Sequence, residues 1–122
     1  MGQMDMYRGE KKTWQGAAVV NGSALDLTGA EVYFTVRENY PTSDITSDAD
    51  ASIAVSTTST DIVVTDDAGG LFEITLSKSH SNTLEADKEY VYGIEVVLSG
   101  ETDPIVLEQG IFYLKPDVAR TV

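Results

Sequence analysis

The chain contains no cysteine among its 122 residues. That removes disulfides, thiol nucleophiles and cysteine-ligated metals together. Stability must therefore come from packing or from neighbours in an assembly. Histidine occurs once, at His80, and proline only three times. Lysine and arginine number 8 against 20 acidic residues, giving a formal net charge of −12. A field of that sign repels phosphate backbones and anionic membrane surfaces, so nucleic-acid binding and membrane docking are not expected. No apolar run approaches the ~18–20 residues of a membrane-spanning helix. Met1–Tyr7 carries neither a basic n-region nor an apolar h-region, so the expectation is a protein made in a cytoplasm without a secretory leader.

What is present is alternation of apolar and polar residues with period two, broken by turn residues, which argues strands. Lys12–Val20 opens with Trp14, Gly16, Ala18 and Val20 on one face, and Asn21-Gly22 comes next as a tight-turn pair. Ala30–Glu38 sends Val32, Phe34 and Val36 one way. Asn39–Ala51 reads as a polar loop, and Ser52–Ser56 and Asp61–Thr65 as short β-branched runs. Leu71–Leu76 points Phe72, Ile74 and Leu76 inward. Ser77–Leu84 suits one or two helical turns, since a serine can cap them. Glu89–Ser99 places Tyr90, Tyr92, Ile94, Val96 and Leu98 together, and Ile105–Leu114 closes the pattern with a bulge expected near Gly110.

About seven to eight short antiparallel strands with at most one short helix predict an all-β, two-sheet sandwich, one domain over residues 1–122. Its expected core is Trp14, Val32, Phe34, Val36, Phe72, Ile74, Leu76, Tyr92, Ile94, Val96 and Phe112. Met1–Glu10 and Lys115–Val122 are expected to lie outside the sheets as extensions that order against neighbouring subunits.

Candidate chemistry is thin. His80 stands between Ser79 and Ser81, but adjacent residues seldom point at each other, and no Gly-x-Ser-x-Gly elbow is present. No pair of carboxylates is singled out for acid–base work, so no enzyme activity is expected. No Lys or Arg occurs between Arg37 and Lys78, a stretch holding Glu38, Asp61, Glu73 and five loop aspartates. Those five, Asp44, Asp48, Asp50, Asp66 and Asp67, are the candidate ligands for calcium. Their spacing does not match the EF-hand loop, and a solvated acidic face is the simpler reading, so no cofactor is expected. Most aromatics occupy inward strand positions; Tyr33 and Tyr40 are the candidates for exposure.

Several pieces of the chain together resemble a known module. They are Met6-Tyr7-Arg8-Gly9-Glu10 running into Lys12-Thr13-Trp14, Leu25-Asp26-Leu27-Thr28-Gly29-Ala30 leading to Val32–Val36, and Ala68-Gly69-Gly70 before Phe72–Leu76. Leu84–Tyr92 and Gly110-Ile111-Phe112-Tyr113-Leu114 complete the set. In order and spacing this resembles the immunoglobulin-like module of tailed-bacteriophage virion proteins, in particular the N-terminal domain of baseplate upper proteins. The resemblance implies an immunoglobulin-like sandwich, a structural role and no catalytic residues. It implies other virion proteins as partners, a symmetric multi-copy assembly and a place in the virion after synthesis in the host cytoplasm. Such modules usually begin a longer protein that reaches the host receptor. Here the chain ends at Val122, soon after the last strand, so the expectation is a tail or baseplate adaptor, a head–tail joining piece or a capsid decoration protein. The alternative is an immunoglobulin-like module binding host glycans, and a small hydrolase ranks third.

Overall fold

The computed structural model describes residues 2–38, 51–85 and 87–116. Among these described residues, ten strands and one helical turn run in the order β1 (Gly2–Tyr7), β2 (Lys12–Ala17), β3 (Val19–Val20), β4 (Ser23–Ala24), β5 (Glu31–Arg37), β6 (Ile53–Ser56), β7 (Ile62–Asp66), β8 (Leu71–Leu76), α1 (Lys78–Ser81), β9 (Lys88–Val97) and β10 (Ile105–Lys115). They form a five-stranded sheet, β1-β10-β9-β5-β6, a three-stranded sheet, β2-β8-β7, and the small hairpin β3-β4. This is an all-β sandwich. Strands β2, β8 and β7 stand in the order B-E-D of the immunoglobulin fold, and β10, β9, β5 and β6 in the order G-F-C-C′.

The two inner faces meet in one core. Phe34, Phe72, Phe112, Val32, Val36, Ile74, Leu76 and Val96 are all at most 2% exposed. Trp14 is partly buried against that core and sets its ring edge to Phe112, with centroids 6.1 Å apart. That contact bridges β2 of one sheet and β10 of the other. Alternation along each strand explains the layering: β5, β8 and β9 bury every second residue. Gly16 breaks the row because a Cβ there would stand 2.5 Å from the Phe72 ring, so the ring occupies the space a side chain would take.

One corner also matches the immunoglobulin pattern. Tyr90, near the start of β9, accepts the Glu85 backbone N–H on its Oη at 2.8 Å. A tyrosine there, bonded to backbone a few residues upstream, fixes the crossing from β8 to β9.

Three sequence expectations are corrected. Met1–Glu10 is expected to precede the first strand, but Gly2–Tyr7 is strand β1, paired in parallel with β10 from Gly2↔Gly110 to Tyr7↔Lys115. Met4 and Met6 enter the core at 7% and 0% exposure. A single Met-x-Met in a polar hexapeptide is too short for a periodicity signal. The pairing is also the one departure from an antiparallel sandwich among the described ladders. Finally, the β10 bulge lies between Val106 and Glu108, not at Gly110, which pairs regularly with Tyr92. Leu107 is the extra residue, and it shifts the phase of the remainder of the strand. At the other terminus, Lys115 is the last residue of β10, and residues 117–122 of the expected extension lie outside the described residues.

Candidate interaction surfaces and the fate of the polar residues

The single histidine stabilises a turn. Ser77 donates its backbone N–H to His80 Nδ1 at 3.1 Å, and Ser77 Oγ lies 3.2 Å from the same nitrogen. Nδ1 therefore meets the turn that precedes α1, and the serine it touches is three residues upstream, not the adjacent Ser79 or Ser81. Ser81 is fully buried and accepts the Gly9 N–H on Oγ at 2.8 Å. Arg8 reaches the same turn, donating from Nε to the Leu84 carbonyl at 3.1 Å and from Nη2 to the Asn82 carbonyl at 3.0 Å. These carbonyls come after a one-turn helix and lack helical partners, so the guanidinium supplies them. Sequence reasoning missed this clamp because its two halves lie more than seventy residues apart.

The calcium candidates divide. Asp44, Asp48 and Asp50 lie outside the described residues, as does Tyr40. Asp66 accepts the Gly69 N–H on Oδ1 at 3.0 Å, closing the β7–β8 turn. Asp67 works through its backbone, accepting Leu27 N–H at 2.8 Å and Gly70 N–H at 3.3 Å. Among the described residues, no three His, Asp or Glu side chains gather as a metal site. Tyr33 is half-buried on the outer face of β5.

Charge is sorted along the strands. The registers place Arg37, Lys88, Lys115 and Lys12 at one end of the sandwich, where β5 and β10 finish and β2 and β9 begin. Arg8 and Lys11 lie in the β1–β2 connection and Lys78 in α1, at that same end. All cationic side chains of the described residues are thus at the α1 end. The opposite end, formed by the turns around Asp26, Asp66-Asp67 and Glu101–Asp103, has acids and no described cation.

The cations at the α1 end are tied into pairs. Asp5 lies 3.4 Å from both Lys12 and Lys115, and Lys115 sits 4.2 Å over the Tyr7 ring. Lys88 approaches Glu85 at 3.5 Å and Glu38 at 3.7 Å. Desolvation works to lower the Lys88 pKa, but Glu38, Glu85 and Tyr90 outweigh it and raise the value. Tyr113 donates its hydroxyl to Asp87 at 2.5 Å, and that bond raises the tyrosine pKa. At the opposite end, Thr28 donates hydroxyl and backbone N–H to Asp26, holding that carboxyl below its ordinary 3.8. Thr57 and Thr58 donate to Glu31 and hold it below 4.5.

The outer surfaces present few large apolar side chains. Val63, Leu71 and Val19 are 53%, 44% and 50% exposed, the first two on the outside of the three-stranded sheet. An open groove of about 400 Å³ runs there between Gln15, Ala17, Thr65, Leu71 and Glu73. No family model matches the chain, and no curated protein matches it.

Proposed function

We propose that this chain is a structural component of a bacteriophage particle, acting through protein–protein contacts as an adaptor, joining or decoration protein. The observation that carries the reading is that the widely separated pieces resembling the phage module interlock. Arg8 and Gly9, of the first piece, bind the Ser81–Leu84 segment that leads into the fourth. Gly70, of the third piece, lies so close to the second that a Cβ on it would stand 2.7 Å from the Leu25 carbonyl oxygen. Leu27 donates its N–H to Asp67 across the same junction. A set of motifs that pack on one another supports reading the resemblance as one whole module, not a series of separate strand-and-turn patterns.

Among the described residues, the contacts available to such a component are the sheet faces and the two ends of the sandwich. The acidic end fits a basic partner surface or solvent. Of the aromatics that a sugar-stacking reading would use, Tyr33 is half-buried and Tyr40 lies outside the described residues; the exposed Tyr7 ring has the Lys115 ammonium over it. The test is the composition of purified particles. A structural component is found by quantitative mass spectrometry at a fixed copy number per particle and stays through density-gradient banding. Absence from banded particles, together with specific retention on a glycan array, would replace this reading with the glycan-binding one.

A further inference from the structure

The two larger sheets end on β1 and β6 and on β2 and β7. An edge strand presents a row of unpaired N–H and C=O groups, and β1, β6 and β7 are each blunted against strand addition. On β1, Tyr7 donates its N–H to Glu10 Oε1 at 2.9 Å, and Lys12 Nζ donates to the Asp5 carbonyl at 2.9 Å. On β6, Ser59 Oγ accepts the Ser56 N–H at 2.9 Å and donates to the Ser56 carbonyl at 2.9 Å. On β7, a bulge between Val64 and Asp66 breaks the regular edge.

Strand β2 has no such device among the described residues. Ala18 donates its N–H to the Gly70 carbonyl, and Thr75 donates its N–H to the Asp61 carbonyl. Those two bonds fix the alternation of the ladders. Trp14 and Gly16 turn their backbone groups toward β8, and β8 turns those of Glu73 and Thr75 toward β7. The N–H and C=O groups of Thr13, Gln15 and Ala17 therefore point out of the sheet edge. No described residue bonds them there. Their side chains are exposed and uncharged. What satisfies such a row is the backbone of another extended strand.

The side chains around that row suit a second β2. Antiparallel pairing about a two-fold axis at Gln15 sets Gln15 opposite itself and Thr13 opposite Ala17. All three bond outward, so every close pair is complete, with about six main-chain bonds in all. On the inner face, Trp14 of each copy lies opposite Gly16 of the other. Trp14 is only partly buried within one chain, and a glycine across from it leaves room for the indole. The acid in the Gln15 row is Glu73, one strand inward. The two Glu73 positions then lie three strand spacings, ~14 Å, apart, beyond the Debye length of ~10 Å. Lys12 falls opposite Ala18 and keeps its Asp5 partner.

We propose that the β2 edge pairs antiparallel with the β2 edge of a second copy of this chain, joining the two three-stranded sheets into one continuous sheet. The inference goes beyond the phage reading and is tested on the purified full-length chain, so either can fail alone.

Sedimentation velocity over a range of concentrations compares the wild type, Gln15→Lys, Gln15→Glu and an equimolar mixture of these two variants. The wild type is expected to dimerise as concentration rises. Each charged variant alone is expected to weaken the dimer about fivefold, because like charges then stand directly opposite, and the mixture to recover it as a heterodimer. Gln15→Pro is expected to weaken the dimer at least about tenfold with the monomer still folded, since the N–H it removes faces away from β8. A wild type that stays monomeric at every concentration overturns the proposal and leaves the edge to a strand of a different protein. A dimer indifferent to Gln15→Lys and Gln15→Pro overturns it in favour of another surface. A dimer weakened by both charges but not recovered on mixing also overturns it, because position 15 then does not meet itself.

Discussion

The two ends of the sandwich are held by different physics. At the α1 end the ties are long-range: Arg8 on the Leu84 and Asn82 carbonyls, Gly9 on Ser81, and Asp5 between Lys12 and Lys115. At the opposite end most ties are local. Asp26 holds Thr28, Asp66 holds Gly69, and the Asn21-Gly22 pair turns β3 into β4 with both residues at positive φ. Turn chemistry of the second kind is written in two to four consecutive residues. Ties of the first kind exist only once distant strands have been brought together.

The largest expected effects test what the two ends share. Phe34 is fully buried between Tyr92 and Phe112, with ring centroids 5.9 and 6.4 Å away. Phe34→Ala should cost roughly 3–5 kcal/mol in denaturant unfolding, and a small loss would mean the core is centred elsewhere. Gly70→Ala comes next at roughly 2–4 kcal/mol. Its φ is +70°, and the added Cβ would meet the Leu25 and Ala18 carbonyl oxygens at 2.7 and 2.9 Å. A mild Tm change there would show that the acidic end is not locked by that close approach.

Met6→Ala should cost about 2–4 kcal/mol, since its side chain is fully buried on β1. This prediction sharpens the contrast, because it makes the N-terminal segment part of the fold and not a removable arm. Trimming residues 1–7 without loss of stability would contradict the parallel pairing with β10. Arg8→Ala should cost about 1–2 kcal/mol, the scale of two part-buried charge-assisted bonds. Its signature is local: amide exchange should rise in Ser81–Leu84 and remain unchanged at the Asp26 and Asp66 turns.

The smallest effect concerns pH. Asp26 and Glu31 both have folded pKa values below their ordinary 3.8 and 4.5. A lowered folded value contributes stability that is present above the ordinary pKa and lost as pH falls through the folded one. Acid unfolding should therefore include a contribution from the Glu31 contacts with Thr57 and Thr58. Glu31→Gln should lower stability slightly at neutral pH and flatten the profile below about pH 4.5, so that variant and wild type converge as acid removes the charge. An unaltered acid limb would show that those hydroxyl bonds do not persist in solution.

Legibility divides along the same line. The strands with long alternation, β5, β8 and β9, are marked by Val32-x-Phe34-x-Val36, Phe72-x-Ile74-x-Leu76 and Tyr90–Val96, because burial on one face leaves a period-two trace. β1 leaves only Met4 and Met6 as a trace, too few to count. The bulge at Leu107 lies three residues from its expected place, since a phase shift in an apolar run does not say which residue is extra. His80 invites comparison with its sequence neighbours, whereas its contact is with Ser77 through the geometry of a single turn. The spatial sorting of charge is invisible as a pattern, although the cation-free stretch from Glu38 to Ser77 is plain.

The sequence by itself determined the class of fold, most of the core and most of the turns, because alternation and turn chemistry act between residues near in the chain. Tertiary structure alone decided that the N-terminal hexapeptide becomes an edge strand, that Arg8 caps a turn more than seventy residues away, and that the described cations collect at one end. It also decided why Gly16 must be glycine: the Phe72 ring lies where a side chain would go. The physical reason is that each of these depends on which strands become neighbours. Strand pairing is set by burying all the apolar faces at once, and no short window of residues records it.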